Sequence, residues 1–178
     1  LNNTIGNSVL TANISGSNIG QSFINDPSGS IATINLNTWT FAFANSSNQT
    51  TAAATTLTIF NGTGNGGTQV GTSSSTSTLT FAGSPAVTWT FASGLQITDT
   101  ATYTAVLAPS LIYRFNNGGN PYPNGTATSG SSALFSNADL VFQGTFSAAT
   151  PVPFEFSPAL GLAALGGLWA AKKFLIKK

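Results

Sequence analysis

At 178 residues the chain has room for one domain of about 150 residues with a sizeable core. It holds five Lys/Arg and four Asp/Glu, and the body from Leu1 to Thr150 carries only Asp26, Asp99, Asp139 and Arg114. So few charges exclude nucleic acid as a partner, because phosphate binding needs a basic stripe; the absence of His and Cys excludes imidazole metal sites, thiol nucleophiles and a Ser-His-Asp triad.

The chain contains no Met, so Leu1 is expected to follow a removed segment, most simply a secretory signal. Polarity comes from 21 Ser, 26 Thr and 17 Asn. These sit among many β-branched and aromatic residues, which predicts a folded all-β domain instead of disorder. Six Asn-x-Ser/Thr sequons, at Asn2, Asn13, Asn45, Asn48, Asn61 and Asn124, are compatible with secretion, although this composition produces many by chance.

Period-two patterning predicts strands along the whole body. Ile34 and Leu36 share one parity, and Trp39, Phe41 and Phe43 take the other. A turn or bulge near Asn37-Thr38 is needed to keep one side toward the core. Leu57 and Ile59 make the next strand, ended by the turn cluster Asn61 to Gly67. Leu79 and Phe81 follow a Ser/Thr run. Then come Val87, Trp89 and Phe91, a turn at Ser93-Gly94, Leu95 and Ile97, and a turn at Thr98-Asp99. Tyr103 to Leu107 and Leu111 to Phe115 are further strands, Asn116 to Gly130 is a long loop, and Leu140, Phe142 and Phe146 lie on the closing strand or pair of strands. No helical period occurs before Pro158. Thr-Trp-Thr-Phe-Ala occurs at both 38–42 and 88–92; one short match fifty residues apart is too little to argue two repeated sheet halves, and the body reads as one domain. Eight or more short strands predict an antiparallel β-sandwich of jelly-roll type over residues 1–150.

The order of these pieces resembles a loose group of secreted bacterial jelly-roll domains placed before surface-anchoring signals. The matching segments are Gly20-Gln21-Ser22-Phe23, Gly29-Ser30-Ile31, Thr56 to Gly62, Trp89-Thr90-Phe91, Leu95-Gln96-Ile97, Tyr103 to Leu107 and Asp139 to Phe142. The resemblance implies a fold and a location, and no chemistry.

Residues 151–157 read as a linker and 158–178 as an apolar helix with a basic end. Ser157 suits an N-cap, Pro158 suits the first helical position, and Glu155 lies near the positive pole. The uncharged run Pro158 to Ala171 would make roughly 21 Å of helix, short for a bilayer, unless Lys172 and Lys173 snorkel and the segment up to Ile176 extends it. Ala159, Ala163, Gly167 and Ala171 form a small-residue stripe flanked by Leu160, Leu168 and Trp169, suited to close helix packing, and Lys172, Lys173, Lys177 and Lys178 form the end. The layout resembles PEP-CTERM sorting tails, with Pro153-Phe154-Glu155 in place of Pro-Glu-Pro; the resemblance implies an exosortase-like processing enzyme.

Candidate sites in the body are few. Asn25-Asp26 and Asn137-Ala138-Asp139 carry oxygens of the kind a structural Ca²⁺ takes, but turn capping is the favoured reading of both. Tyr113, Arg114 and Tyr122, in or beside the long loop, could contact a glycan; the competing reading puts Tyr113 in the core and has Tyr122 pack its own loop. Arg114, the body's one cation, is expected to pair with an aspartate or a carbonyl. The expected function is a non-enzymatic, secreted structural protein. It would self-assemble into a filament or surface layer, with the C-terminal helix buried between subunits or in membrane. The alternative is a membrane-anchored module of the cell surface that binds polysaccharide.

Overall fold

The computed structural model describes residues 2–26, 29, 32–134 and 137–149. The linker, the apolar run and the lysine end therefore lie outside the described residues. What is described is an all-β sandwich with one short helix. In chain order the elements are β1 (Asn2–Asn7), β2 (Ala12–Gly16), β3 (Ile19–Phe23), β4 (Thr33–Ala42), α1 (Ser46–Ala53), β5 (Thr58–Asn61), β6 (Gln69–Thr72), β7 (Ser75–Phe81) and β8 (Ser84–Thr98). They continue with β9 (Tyr103–Leu107), β10 (Leu111–Asn116), β11 (Ala127–Ser129), β12 (Ser132–Ala133), β13 (Asp139–Leu140) and β14 (Phe142–Ala148).

Three antiparallel sheets result, ordered β1-β14-β4-β8-β7, β12-β11-β3-β9-β5-β6 and β13-β10-β2. The first two carry the nested pairings: β1 with β14, β3 with β9, β4 with β8 and β5 with β6. Aromatic rings fill the space between layers. Phe23 of β3 meets Trp39 of β4 at 4.6 Å between centroids, Trp39 stacks on Phe142 of β14 at 5.0 Å, and Phe41 stands edge-on to Tyr113 of β10 at 5.8 Å. Each of these side chains is fully buried, the condition under which apolar burial contributes most.

The parity change in the sequence has the expected cause. Leu36 pairs with Leu95 and Thr38 with Thr90, so Asn37 faces four residues of β8, and the register shifts there. Ser93-Gly94 is accordingly an excursion inside one fifteen-residue strand and not the chain reversal expected of it; both residues take positive φ, 60° and 72°, as such a bulge demands. The two Thr-Trp-Thr copies are not halves of a duplicated sheet. They pair with each other, Thr38 to Thr90, Trp39 to Trp89 and Thr40 to Thr88, because Thr-Trp-Thr reads the same in both directions and so matches itself in an antiparallel ladder.

Contrary to expectation, the described residues include a helix, α1. α1 has no apolar stripe and buries only Ala52; it forms because the Asn45 side chain accepts from the Asn48 amide at 3.0 Å and caps it. Gln49 then holds it to the sheet by donating to the carbonyls of Leu79 (3.0 Å) and Ala86 (2.8 Å). Among the described residues no helix is long and apolar enough to cross a membrane.

Candidate functional site

The outer face of the five-stranded sheet carries cross-strand ranks made largely of hydroxyl side chains. One rank crosses all five strands as Thr4, Thr145, Thr38, Thr90 and Ser75, and the next as Gly6, Gln143, Thr40, Thr88 and Ser77. Two neighbouring pairs are bonded within the ranks, Thr38 to Thr145 at 2.6 Å and Thr40 to Thr88 at 2.7 Å, which fixes their rotamers. Beyond them Phe81 lies over the small residues Ala42, Ala86 and Val141. Between Phe81 and β1 a groove of about 320 Å³ opens, lined by Thr4, Gly6, Ser8, Phe81 and Gln143 with Phe142 beneath. An aromatic wall with hydroxyl and amide groups and no charge among the lining residues suits a neutral polyhydroxylated ligand; it contains no group able to activate a nucleophile.

The expected site residues fall elsewhere. Tyr113 is fully buried, and burial pushes its hydroxyl pKa up. Tyr122 is buried too; its hydroxyl donates to the Ile24 carbonyl at 2.6 Å and its ring stands edge-on to Phe142. Neither ring offers a face to a sugar, which corrects the glycan reading of both and supports the packing one. Arg114 is held by neutral groups: its Nε donates to Ser84 Oγ (3.1 Å) and its guanidinium to Asn13 Oδ1 (3.0 Å). With its cation so used, it clamps β10 to β2 and to the start of β8.

The two segments considered for Ca²⁺ belong to separate networks. Asp139, fully buried, accepts from Gln21 Nε2 (2.8 Å) and the Tyr122 amide (3.0 Å), and Gln21 Oε1 accepts from the Leu140 amide (2.8 Å). The Asn120 amide, oriented by its neighbours, donates to the same carboxylate at 3.1 Å. Burial raises the Asp139 pKa, against the lowering effect of the Tyr122 and Gln21 bonds. Asp139 thus fastens the long loop to β3, helped by Gly125, where a Cβ would collide with the Ser22 carbonyl. Asn25 instead donates to Asp99 and accepts from Asn3, and the Asp26 and Asp99 carboxylates both flank Gly29. Among the described residues no three acidic, His or Cys side chains gather as a metal would require.

Pro153, Phe154, Glu155, the small-residue stripe, Leu160, Leu168, Trp169 and the four lysines lie outside the described residues. The groove at Phe81 escapes sequence reading because its walls come from β1, β14 and the β7–β8 hairpin, which only the register brings together. Comparison with protein-family models, curated proteins and solved structures finds no match.

Proposed function

We propose that this is a non-enzymatic, extracellular structural protein whose β domain is a jelly roll and whose C-terminal segment, helical and apolar, is buried between subunits or in membrane as copies assemble into a filament or surface layer. The observation that carries the reading is the uncharged run Pro158 to Ala171, ended by Lys172 and Lys173, joined to a body with four charges. Exposing fourteen such residues to water is unfavourable, and covering them lowers the free energy.

The jelly-roll assignment draws support from strand order. Counting β1, β3, β4, β5, β6, β8, β9 and β14 as one to eight, the two large sheets run 1-8-3-6 and 2-7-4-5. First pairs with last, second with seventh, third with sixth and fourth with fifth, as in a long hairpin rolled around itself. Secretion and the exosortase-like processing enzyme enter as parts of the same reading, from the Pro153-Phe154-Glu155 layout.

Electron microscopy of the whole protein without ligand tests it: regular filaments or layers are expected, with Leu168→Lys dispersing them, whereas dispersed particles of the unaltered chain would overturn it. The groove beside Phe81 favours a second reading, a surface-anchored module for neutral polysaccharide. That version requires retention on a polysaccharide column, lost in Phe81→Ala.

A further inference from the structure

We propose that β7 is an assembly edge, pairing antiparallel with β7 of a second copy across a two-fold axis at Thr78. β7 is the outermost strand of its sheet and, at seven residues, the longest open edge among the described residues; β2, β6, β12 and β13 are shorter, and β1 has six. Ser75 to Thr80 are all exposed, and the pairing with β8 runs without a register break. Sheet edges are ordinarily guarded by charge, proline, a bulge or brevity. Ser-Thr-Ser-Thr-Leu-Thr-Phe has none of these guards.

The hydrogen-bonding parity is fixed by the hairpin. The two-residue turn Ala82-Gly83 makes Phe81 and Ser84 a bonded pair, so Leu79, Ser77 and Ser75 also bond inward to β8. Gln49 agrees with this, since it reaches the carbonyls of Leu79 and Ala86 together. The N–H and C=O groups of Thr76, Thr78 and Thr80 therefore point outward in line. α1 braces the strand from below, with Thr76 Oγ1 donating to the Ala53 carbonyl at 2.9 Å, so the edge is ordered before any partner arrives.

A second copy fits this edge for two reasons. The segment Thr76-Ser77-Thr78-Leu79-Thr80 is symmetric in its threonines about Thr78. A two-fold sets Thr76 opposite Thr80 and Thr78 opposite itself, repeating the Thr–Thr pairing already used at Thr38–Thr145 and Thr40–Thr88. A two-fold also places each residue near its own copy, and β7 has no charge to be repelled there. Three reciprocal residue pairs follow, each exchanging two main-chain bonds. The contact deepens the assembly reading above by naming a partner surface for it.

The chain has no cysteine, so single substitutions in the full-length protein report cleanly. A bonded antiparallel pair holds Cα atoms about 5.5 Å apart, within disulfide reach. Ser75, equally exposed, would lie roughly 20 Å from its mate by strand rise. Mild oxidation should cross-link the Thr78→Cys chain several-fold faster than the Ser75→Cys chain, and equal rates would sink the proposal. Thr78→Pro removes only an outward N–H, so it should abolish the dimer in sedimentation while keeping the unaltered circular dichroism spectrum; a folded Thr78→Pro dimer also sinks it. Filaments formed by a Thr78→Cys chain that does not cross-link leave the assembly reading standing and defeat this contact. Cross-linked dimers without filaments do the opposite.

Discussion

Asp139 is a carboxylate enclosed by donors and by no cation that the structure describes, and its energetics set a pH dependence. Burial raises its pKa, so between the ordinary carboxylate value and the raised one the folded chain holds more of this proton than the unfolded chain. Its contribution is therefore most favourable below the ordinary value and declines as pH climbs through that interval. Urea midpoints across weakly acidic pH should fall in the unaltered protein and stay flat over the same interval in Asp139→Asn. That variant should also be less stable at its best pH by about 1–3 kcal/mol, since an amide nitrogen would face one of the donors from Gln21 or Tyr122. The two paired tryptophans give a second contrast at this scale. Both are fully buried, but Trp89 Nε1 donates to the Thr55 carbonyl at 2.8 Å while Trp39 Nε1 has no partner. Trp89→Phe leaves an orphaned carbonyl; Trp39→Phe removes an unpaid polar group. Denaturant unfolding should show the Trp89 change costing about 1 kcal/mol more, and equal costs would contradict the bonding described.

Among elements, the β7–β8 hairpin carries a local conflict. Ala82 and Gly83 take φ of 51° and 73°, a turn for which two glycine-tolerant residues are suited, yet the first is alanine. Ala82→Gly should stabilise by a few tenths to about 1 kcal/mol and Gly83→Ala should destabilise by about 1, read as shifts in thermal midpoint. This hairpin was hard to read from sequence for the same reason: Ala-Gly is a weak turn signal, and a Ser/Thr run has no apolar alternation to mark β7. Elsewhere alternation was legible wherever a strand had one face in the core, as in β4, β8, β9 and β10. The Asn37 bulge could be inferred because aromatic parity inverted across it. α1 was hidden because eight polar and small residues carry no helical period, though Asn45 three residues before Asn48 was the capping signal available. The groove at Phe81 and the Asp139 network depend on contacts between residues far apart in the chain, such as Gly6 with Gln143 and Gln21 with Leu140, which no local pattern contains.

At the scale of the whole molecule, charge distribution separates two ways in which copies could associate. The body carries only Asp26, Asp99, Asp139 and Arg114, with Asp139 buried, so it has few charges with which to attract another body. In the sequence Lys172, Lys173, Lys177 and Lys178 gather four like charges at one end, which opposes close packing of tails. Assembly by apolar burial and main-chain pairing should then resist salt, and screening of the lysines should strengthen it as the Debye length shrinks from about 30 Å to about 3 Å between 0.01 M and 1 M. Sedimentation of the full-length protein across that range should show an assembled fraction that holds or rises. An assembly held by ion pairs between copies would dissolve instead, and loss of the fast-sedimenting fraction with added salt would refute the proposal that uncharged surfaces join the subunits. Lysine-to-glutamine changes at all four positions should flatten whatever rise is seen, because the repulsion that salt relieves would already be gone.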